Sequence, residues 1–152
     1  LSDDPRCVII GIGNVLMGDE GAGVHAVRLI EQRGLPAGVT SLDGGTGGLH
    51  LLGAMQSARR LVLIDATQDG APPGTVRRLR PRFSSDYPPT LTAHDIGLKD
   101  LLDAVHLVGD PPEVTLFAVS IGEITPMTDD LSAPVAAAMP GLVGQVIKEA
   151  AG

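Results

Sequence analysis

A chain of 152 residues fits one domain, over residues 1–152, and can bury about two thirds of the surface its unfolded form exposes. Its 18 acidic side chains against 11 Lys and Arg give a formal charge of −7, which argues against nucleic acid or an anionic membrane as the main partner. A single cysteine excludes an intramolecular disulfide and a cysteine-rich metal site, and no apolar run approaches the ~20 residues of a membrane span.

The first residues include Asp3 and Asp4 and lack the basic and apolar regions of a signal peptide, so a soluble cytoplasmic protein is expected. The apolar run Cys7–Ile12 reads as a strand, with Cys7 a buried structural thiol. A glycine-rich stretch follows, from Gly11 to Gly23, and then a helical pattern over Gly21–Arg33 in which Val24, Val27 and Ile30 recur at helix spacing. Such a strand–loop–helix junction holds phosphate in nucleotide-binding folds. Here Asp19 and Glu20 stand where a P-loop has Lys and Ser/Thr, and Leu16 stands where Gly-x-Gly-x-x-Gly needs its last glycine. The acids at the helix start repel a pyrophosphate and suit a cation.

Val39–Leu42 reads as the second strand, followed by the loop Asp43–Gly47 and a helix of about two turns marked by Leu49, Leu52 and Met55. Leu61–Ile64 is the third strand. The turn Asp69–Gly74 is too short for a helical crossover, so the polar run Thr75–Leu79 is expected to pair antiparallel with that third strand as an edge. Pro81–Pro89 reads as a surface loop, and Leu98, Leu101, Leu102 and Val105 mark a third helix. Val114–Ile121 is the last strand. The last helix starts near Ser132, an N-cap with Pro134 in the first turn, and should kink at Pro140. Strands buried on both faces and alternating with helices predict a three-layer α/β/α sandwich, with a mostly parallel sheet of about five strands and one antiparallel edge strand.

In an open α/β sheet, ligands gather beyond the carboxyl ends of the strands. That rule selects Glu20 after the first strand, Asp65 at the end of the third, and His94 before the third helix. Two carboxylates and one imidazole suit nickel or zinc and leave positions for an outside ligand. The other histidines are set aside: His25 as a surface residue, His106 as a core-edge residue, and His50 as a residue that follows the glycine-rich loop. The Arg77, Arg78, Arg80 and Arg82 cluster reads as solvated strand and loop surface.

The run Gly-Ile-Gly-Asn-Val-Leu-Met-Gly-Asp-Glu-Gly-Ala-Gly-Val at 11–24 resembles the N-terminal signature of the [NiFe]-hydrogenase maturation endopeptidases. Leu42-Asp43-Gly44-Gly45-Thr46, Leu63-Ile64-Asp65-Ala66 and Ala93-His94-Asp95-Ile96-Gly97-Leu98 look like the second, third and fourth blocks of that family, in the same order and spacing. The resemblance implies an aspartic-type endopeptidase that trims a C-terminal extension from the nickel-loaded large subunit of a hydrogenase. It assigns the catalytic, metal-contacting roles to Glu20, Asp65 and His94. Apart from the resemblance, the glycines of the Asp43–Gly47 loop let its backbone approach an extended tail, so substrate contact is expected at Asp43, Gly44, Gly45 and Thr46. Nickel would arrive with the substrate, and zinc or another divalent cation could occupy the site in isolation. The metal either pins the substrate in place or also polarises the scissile carbonyl.

Two other classes remain in view: a non-catalytic nickel chaperone or checkpoint scaffold using the same ligands, and a peptidase with its own resident zinc. No His-Glu-x-x-His helix and no Gly-x-Ser-x-Gly elbow is present. The segment Ser120–Pro126 is longer than the corresponding turn of the family, a departure that bears on substrate choice.

Overall fold

The computed structural model describes residues 6–45, 50–91, 99–107 and 111–152. Five strands form one sheet: β1 Cys7–Ile12, β2 Val39–Gly45, β3 Arg60–Thr67, β4 Val76–Leu79 and β5 Glu113–Ser120. Among the described residues, four α-helices cover it: α1 Ala22–Arg33, α2 His50–Ser57, α3 Lys99–Leu107 and α4 Ala133–Ala151. The strand order is β2-β1-β3-β5-β4, with every pair parallel except β4 with β5.

Alternation along the strands divides the core in two. Cys7, Ile9, Val62, Ile64, Phe117 and Val119 pack beneath α1 and α4, while Val8, Ile10, Leu61, Leu63, Leu116 and Ala118 pack on the other side with Leu51, Met55 and Val105 from α2 and α3. The three-layer sandwich read from the apolar runs is the observed architecture. On the second face the Tyr87 hydroxyl lies 3.3 Å from His106 Nε2, so His106 is a core-edge residue of α3, as its place in the stripe implies. Burial pushes the Tyr87 phenol well above its usual pKa, aided by the nearby Asp86 charge.

The expected pairing of β4 is corrected. β4 lies antiparallel to β5, not to β3, and the turn 69–74 carries the chain across the end of β5 to its far side. Gly74 N–H donates to Ser120 O at 2.8 Å, and Ser120 Oγ donates to Asp69 Oδ1 at 2.9 Å. The physical reason lies in composition. Every residue of β5 after Glu113 is buried, so that strand takes an interior slot, whereas β4 carries exposed Arg77 and Arg78 and belongs at an edge.

The exposed arginines of β4 and of the residue just after it also carry ion pairs. Arg78 and Arg80 both reach Glu149 Oε1 of α4, at 2.6 and 3.0 Å, and Thr115 Oγ1 donates to the same oxygen at 2.8 Å. Arg60 Nη2 donates to the Glu149 backbone carbonyl at 2.6 Å. This cluster ties the end of α4 to three strands at the end of the sheet away from Glu20 and Asp65.

One contact fixes α1 on the sheet. A Cβ at Gly23 would lie 2.5 Å from Ile12 O and would overlap Ile64 O as well, and a Cβ at Gly11 would overlap Gly23 O. The first turn of α1 therefore rests on the backbones of β1 and β3 with no side-chain layer between them, as in folds whose glycines serve close helix–strand packing. α4 runs without interruption through Pro140, which sits on its exposed side, and buries Val135, Met139, Leu142, Val143 and Val146.

Gly23→Ala is expected to destabilise the fold by about 3 kcal/mol, because the overlapped atoms are backbone and cannot turn aside. Gly53→Ala on the exposed side of α2, where a Cβ meets nothing within 4 Å, should instead stabilise by up to ~1 kcal/mol. Denaturant unfolding of the two variants checks the contrast.

The Glu149 carboxyl gives a pH prediction. Burial alone would raise its pKa, but the hydrogen bonds from Thr115 and Arg78 and the charges of Arg78 and Arg80 outweigh burial and hold it below its ordinary value of 4.5. A carboxylate with a lowered folded pKa contributes stability in full above the unfolded value and loses it as pH falls through the folded one. Glu149→Gln should cost about 1–3 kcal/mol at neutral pH, and the deficit should shrink at pH values below about 4. Urea melts at pH 7 and pH 3 test both halves.

Candidate active site

The four parallel strands end at the same edge of the sheet, and the loops after β1 and β5 meet there. After β1 the chain turns at Gly13, whose φ of 138° is closed to side chains, and a Cβ there would overlap the Glu20 carbonyl. A 3₁₀ turn over Gly18–Gly21 then leads into α1 and packs against β3. Asp19 and Glu20 both lie in this turn.

The two acids have different tasks. Asp19 is buried, 7% exposed, and accepts hydrogen bonds from Ser132 N at 2.7 Å and Ser132 Oγ at 2.6 Å. Ser132 is the N-cap residue of α4, so Asp19 anchors that helix to the first loop. Glu20 is half-exposed at the rim. Of the two carboxylates, Glu20 is the more accessible.

Asp65 occupies the end of β3, opposite Ala118 of β5 on the α2/α3 side of the sheet. Its Oδ1 accepts a hydrogen bond from Ala66 N at 2.8 Å. Strand-end reasoning puts Asp65 at the rim of the sheet, but the residue is buried, 0% exposed. A buried carboxylate at a strand end is held in one orientation, which suits a ligand.

His94 lies outside the described residues, as does Thr46. The chain leading to His94 is tethered near Asp65: Leu91 forms an antiparallel bridge with Thr67, Gln68 N–H donates to Thr90 O at 3.0 Å, and the Thr67 and Thr90 hydroxyls lie 2.6 Å apart. Among the described residues alone, no group of three metal-binding side chains occurs.

The second block is part strand, where sequence reading put a loop. β2 continues to Gly45, and its register against β1 slips at Gly44, since Gly11 pairs with Asp43 and Ile12 with Gly45. Asp43 Oδ1 accepts from Gly45 N at 2.8 Å, and Gly45 O accepts from Gly13 N at 2.6 Å. Asp43 and Gly45 thus brace the first loop, and the bulge tips the end of β2 towards it.

His25, expected at the surface, is half-buried, and its Nε2 has no hydrogen-bond partner among the described residues. The cause is the close seat of α1, which contacts three strands and α4. Two pairings escaped the sequence. Asp19 and Ser132 are 113 residues apart, and Thr67 and Thr90 are 23 apart, and no local pattern announces either.

The family model described as hydrogenase maturation protease (HycI) matches residues 24–149, most of the chain. The chain belongs to the hydrogenase maturation protease family. It is 38% identical over 117 residues to the hydrogenase expression/formation protein HupD of Bradyrhizobium diazoefficiens, a match covering 74% of this chain and 60% of that protein. It is 38% identical over 118 residues to the hydrogenase 2 maturation protease of Escherichia coli, covering 75% of this chain and 72% of that one. Among solved structures, the hydrogenase maturating endopeptidase HybD of E. coli superposes with a TM-score of 0.83 at 35% identity, over 95% of this chain and 91% of that chain. This chain therefore spans less than two thirds of the length of the HupD relative.

Asp19→Ala should lower stability by about 1–3 kcal/mol, because it strips two donors at the start of α4 of their acceptor. Glu20→Gln should cost clearly less. Thermal melts of the two variants side by side test whether neighbouring acids divide into an anchor and a rim group.

Proposed function

We propose that this chain is an endopeptidase that removes a short C-terminal extension from the nickel-loaded large-subunit precursor of a [NiFe] hydrogenase in the cytoplasm. Glu20, Asp65 and His94 are the residues that contact the precursor's nickel, and the end of β2 over Asp43–Gly45, with Thr46, meets its tail. The observation that carries the reading is the convergence of the β1 loop and the end of β3 on one edge of the sheet, in a chain of this family. The Thr67–Leu91 bridge adds support, since His94 is three positions beyond Leu91, about 10 Å of chain at full extension.

The donor set fits a borderline divalent cation and lacks thiolate, so its own affinity is modest. Cysteines of the precursor would complete the nickel's shell, and the three residues of this chain would then orient the tail for hydrolysis. Orientation of this kind can supply ~7–11 kcal/mol towards a barrier. Among the described residues, no helix is long and apolar enough to cross a membrane.

The test is the mass of a co-expressed large-subunit precursor, with and without this protein and with and without nickel. Loss of a C-terminal peptide only when both are present is expected, and Asp65→Asn should prevent it. Equal processing of the nickel-free precursor would overturn the role of nickel and point to a peptidase carrying its own metal.

A further inference from the structure

The described residues leave few large apolar side chains in water, and two of them are neighbours in space. Leu16 is 57% exposed and Met127 is 87% exposed. They flank a short parallel pairing of the β1 loop with the segment after β5, in which Met17 bridges Thr128. Thr128 N–H donates to Leu16 O at 3.0 Å and Gly18 N–H donates to Thr128 O at 2.8 Å. Hence Leu16 and Met127 stand on adjacent backbones, one strand spacing of about 4.8 Å apart.

The platform beneath them is fixed. Asp19 clasps Ser132 on one side, Gly18 abuts Thr125, and Ile124 packs into the core below α4. A ligand meeting this surface has little loop ordering to overcome. Leu16 stands on the same loop as Glu20, four positions before it, so the pair lies beside the candidate active site in the chain.

Charge selects the occupant. No Lys or Arg occurs between Cys7 and Val27 or between Val114 and Ile147, the stretches that build this platform. Exposed Glu123, Asp129 and Asp130 flank Met127 instead. A second copy of this chain, with a net charge of −7, would bring like charge to an acidic surface.

From these observations we infer that Leu16 and Met127 form a docking site for a segment of the hydrogenase precursor in which an apolar side chain is flanked by Lys or Arg. The apolar side chain covers the Leu16–Met127 pair, and the basic residues face Glu123, Asp129 and Asp130. This rests on the function proposed above. Docking here would set which precursor is accepted, apart from the residues that act on the scissile bond.

The experiment measures equilibrium binding and processing of the nickel-loaded precursor by the wild-type protein and by the Leu16→Asp/Met127→Asp variant. Both side chains are exposed, so the melting temperature should hold. The expected result is a rise of at least tenfold in Kd and KM, with kcat within twofold. A Glu123→Lys/Asp129→Lys variant should also bind more weakly and with less dependence on salt. Leu107→Asp, 84% exposed at the end of α3 that leads to the start of β5, serves as a control and should leave Kd unchanged.

Unchanged Kd and KM in the Leu16→Asp/Met127→Asp variant would overturn the docking site while wild-type cleavage upheld the protease reading. Equal weakening by Leu107→Asp, or tighter binding by the lysine variant, would also overturn it. Binding that the double variant abolishes, from a wild-type protein that cuts nothing, would uphold the docking site and sink the protease reading. A wild-type protein that does not bind the precursor at all would overturn both.

Discussion

Two backbones touch where α1 crosses the sheet, and most of the candidate site follows from that contact. With no side chain at Gly11 or Gly23, the first turn of α1 lies directly against β1 and β3. The 3₁₀ turn before it is then drawn onto the rim of the sheet, where Glu20 and the end of β3 share one edge. Any methyl group in the contact would lift the helix and carry Glu20 away from Asp65. The glycines that look like a phosphate loop in sequence thus serve a steric purpose.

Adjacent acids in that turn show how little separates scaffold from site. Asp19 turns inward to hold Ser132 and with it the start of α4, and Glu20 remains at the rim. The clasp spans 113 residues and joins the first loop to the last helix. It also fixes the segment after β5 against the β1 loop, where Thr128 pairs beside Met17. One buried carboxylate therefore determines both where α4 begins and which surface surrounds Glu20.

Much of this was legible in the chain. The apolar runs at Cys7–Ile12 and Val114–Ile121 carry no competing pattern, and the stripe from Val135 to Val146 gives α4 its buried side. The partner of β4 was not legible, because a six-residue turn limits the distance travelled and says nothing of which strand is passed over. β2 ran past its apolar residues to Gly45 because backbone pairing with β1, and not side-chain burial, holds its end. Strand-end reasoning does not foretell that Asp65, placed near the end of β3, is fully buried. The Asp19–Ser132 and Thr67–Thr90 pairs are long-range hydrogen bonds with no periodic signature.

The place of β5 has a consequence for synthesis. β3 and β4 are made first, but they lie one strand apart, with the slot between them filled only by residues 113–120. A chain emerging from its N-terminus holds an incomplete sheet with two facing unpaired edges, and α4, which covers that side, is made after β5. Cooperative folding must then wait for residues 113–151, and the non-local pairing of β3 with β5 makes that step slow. The half-made protein exposes apolar strands that a chaperone can hold, and the candidate site is assembled only when the last helix is clasped by Asp19.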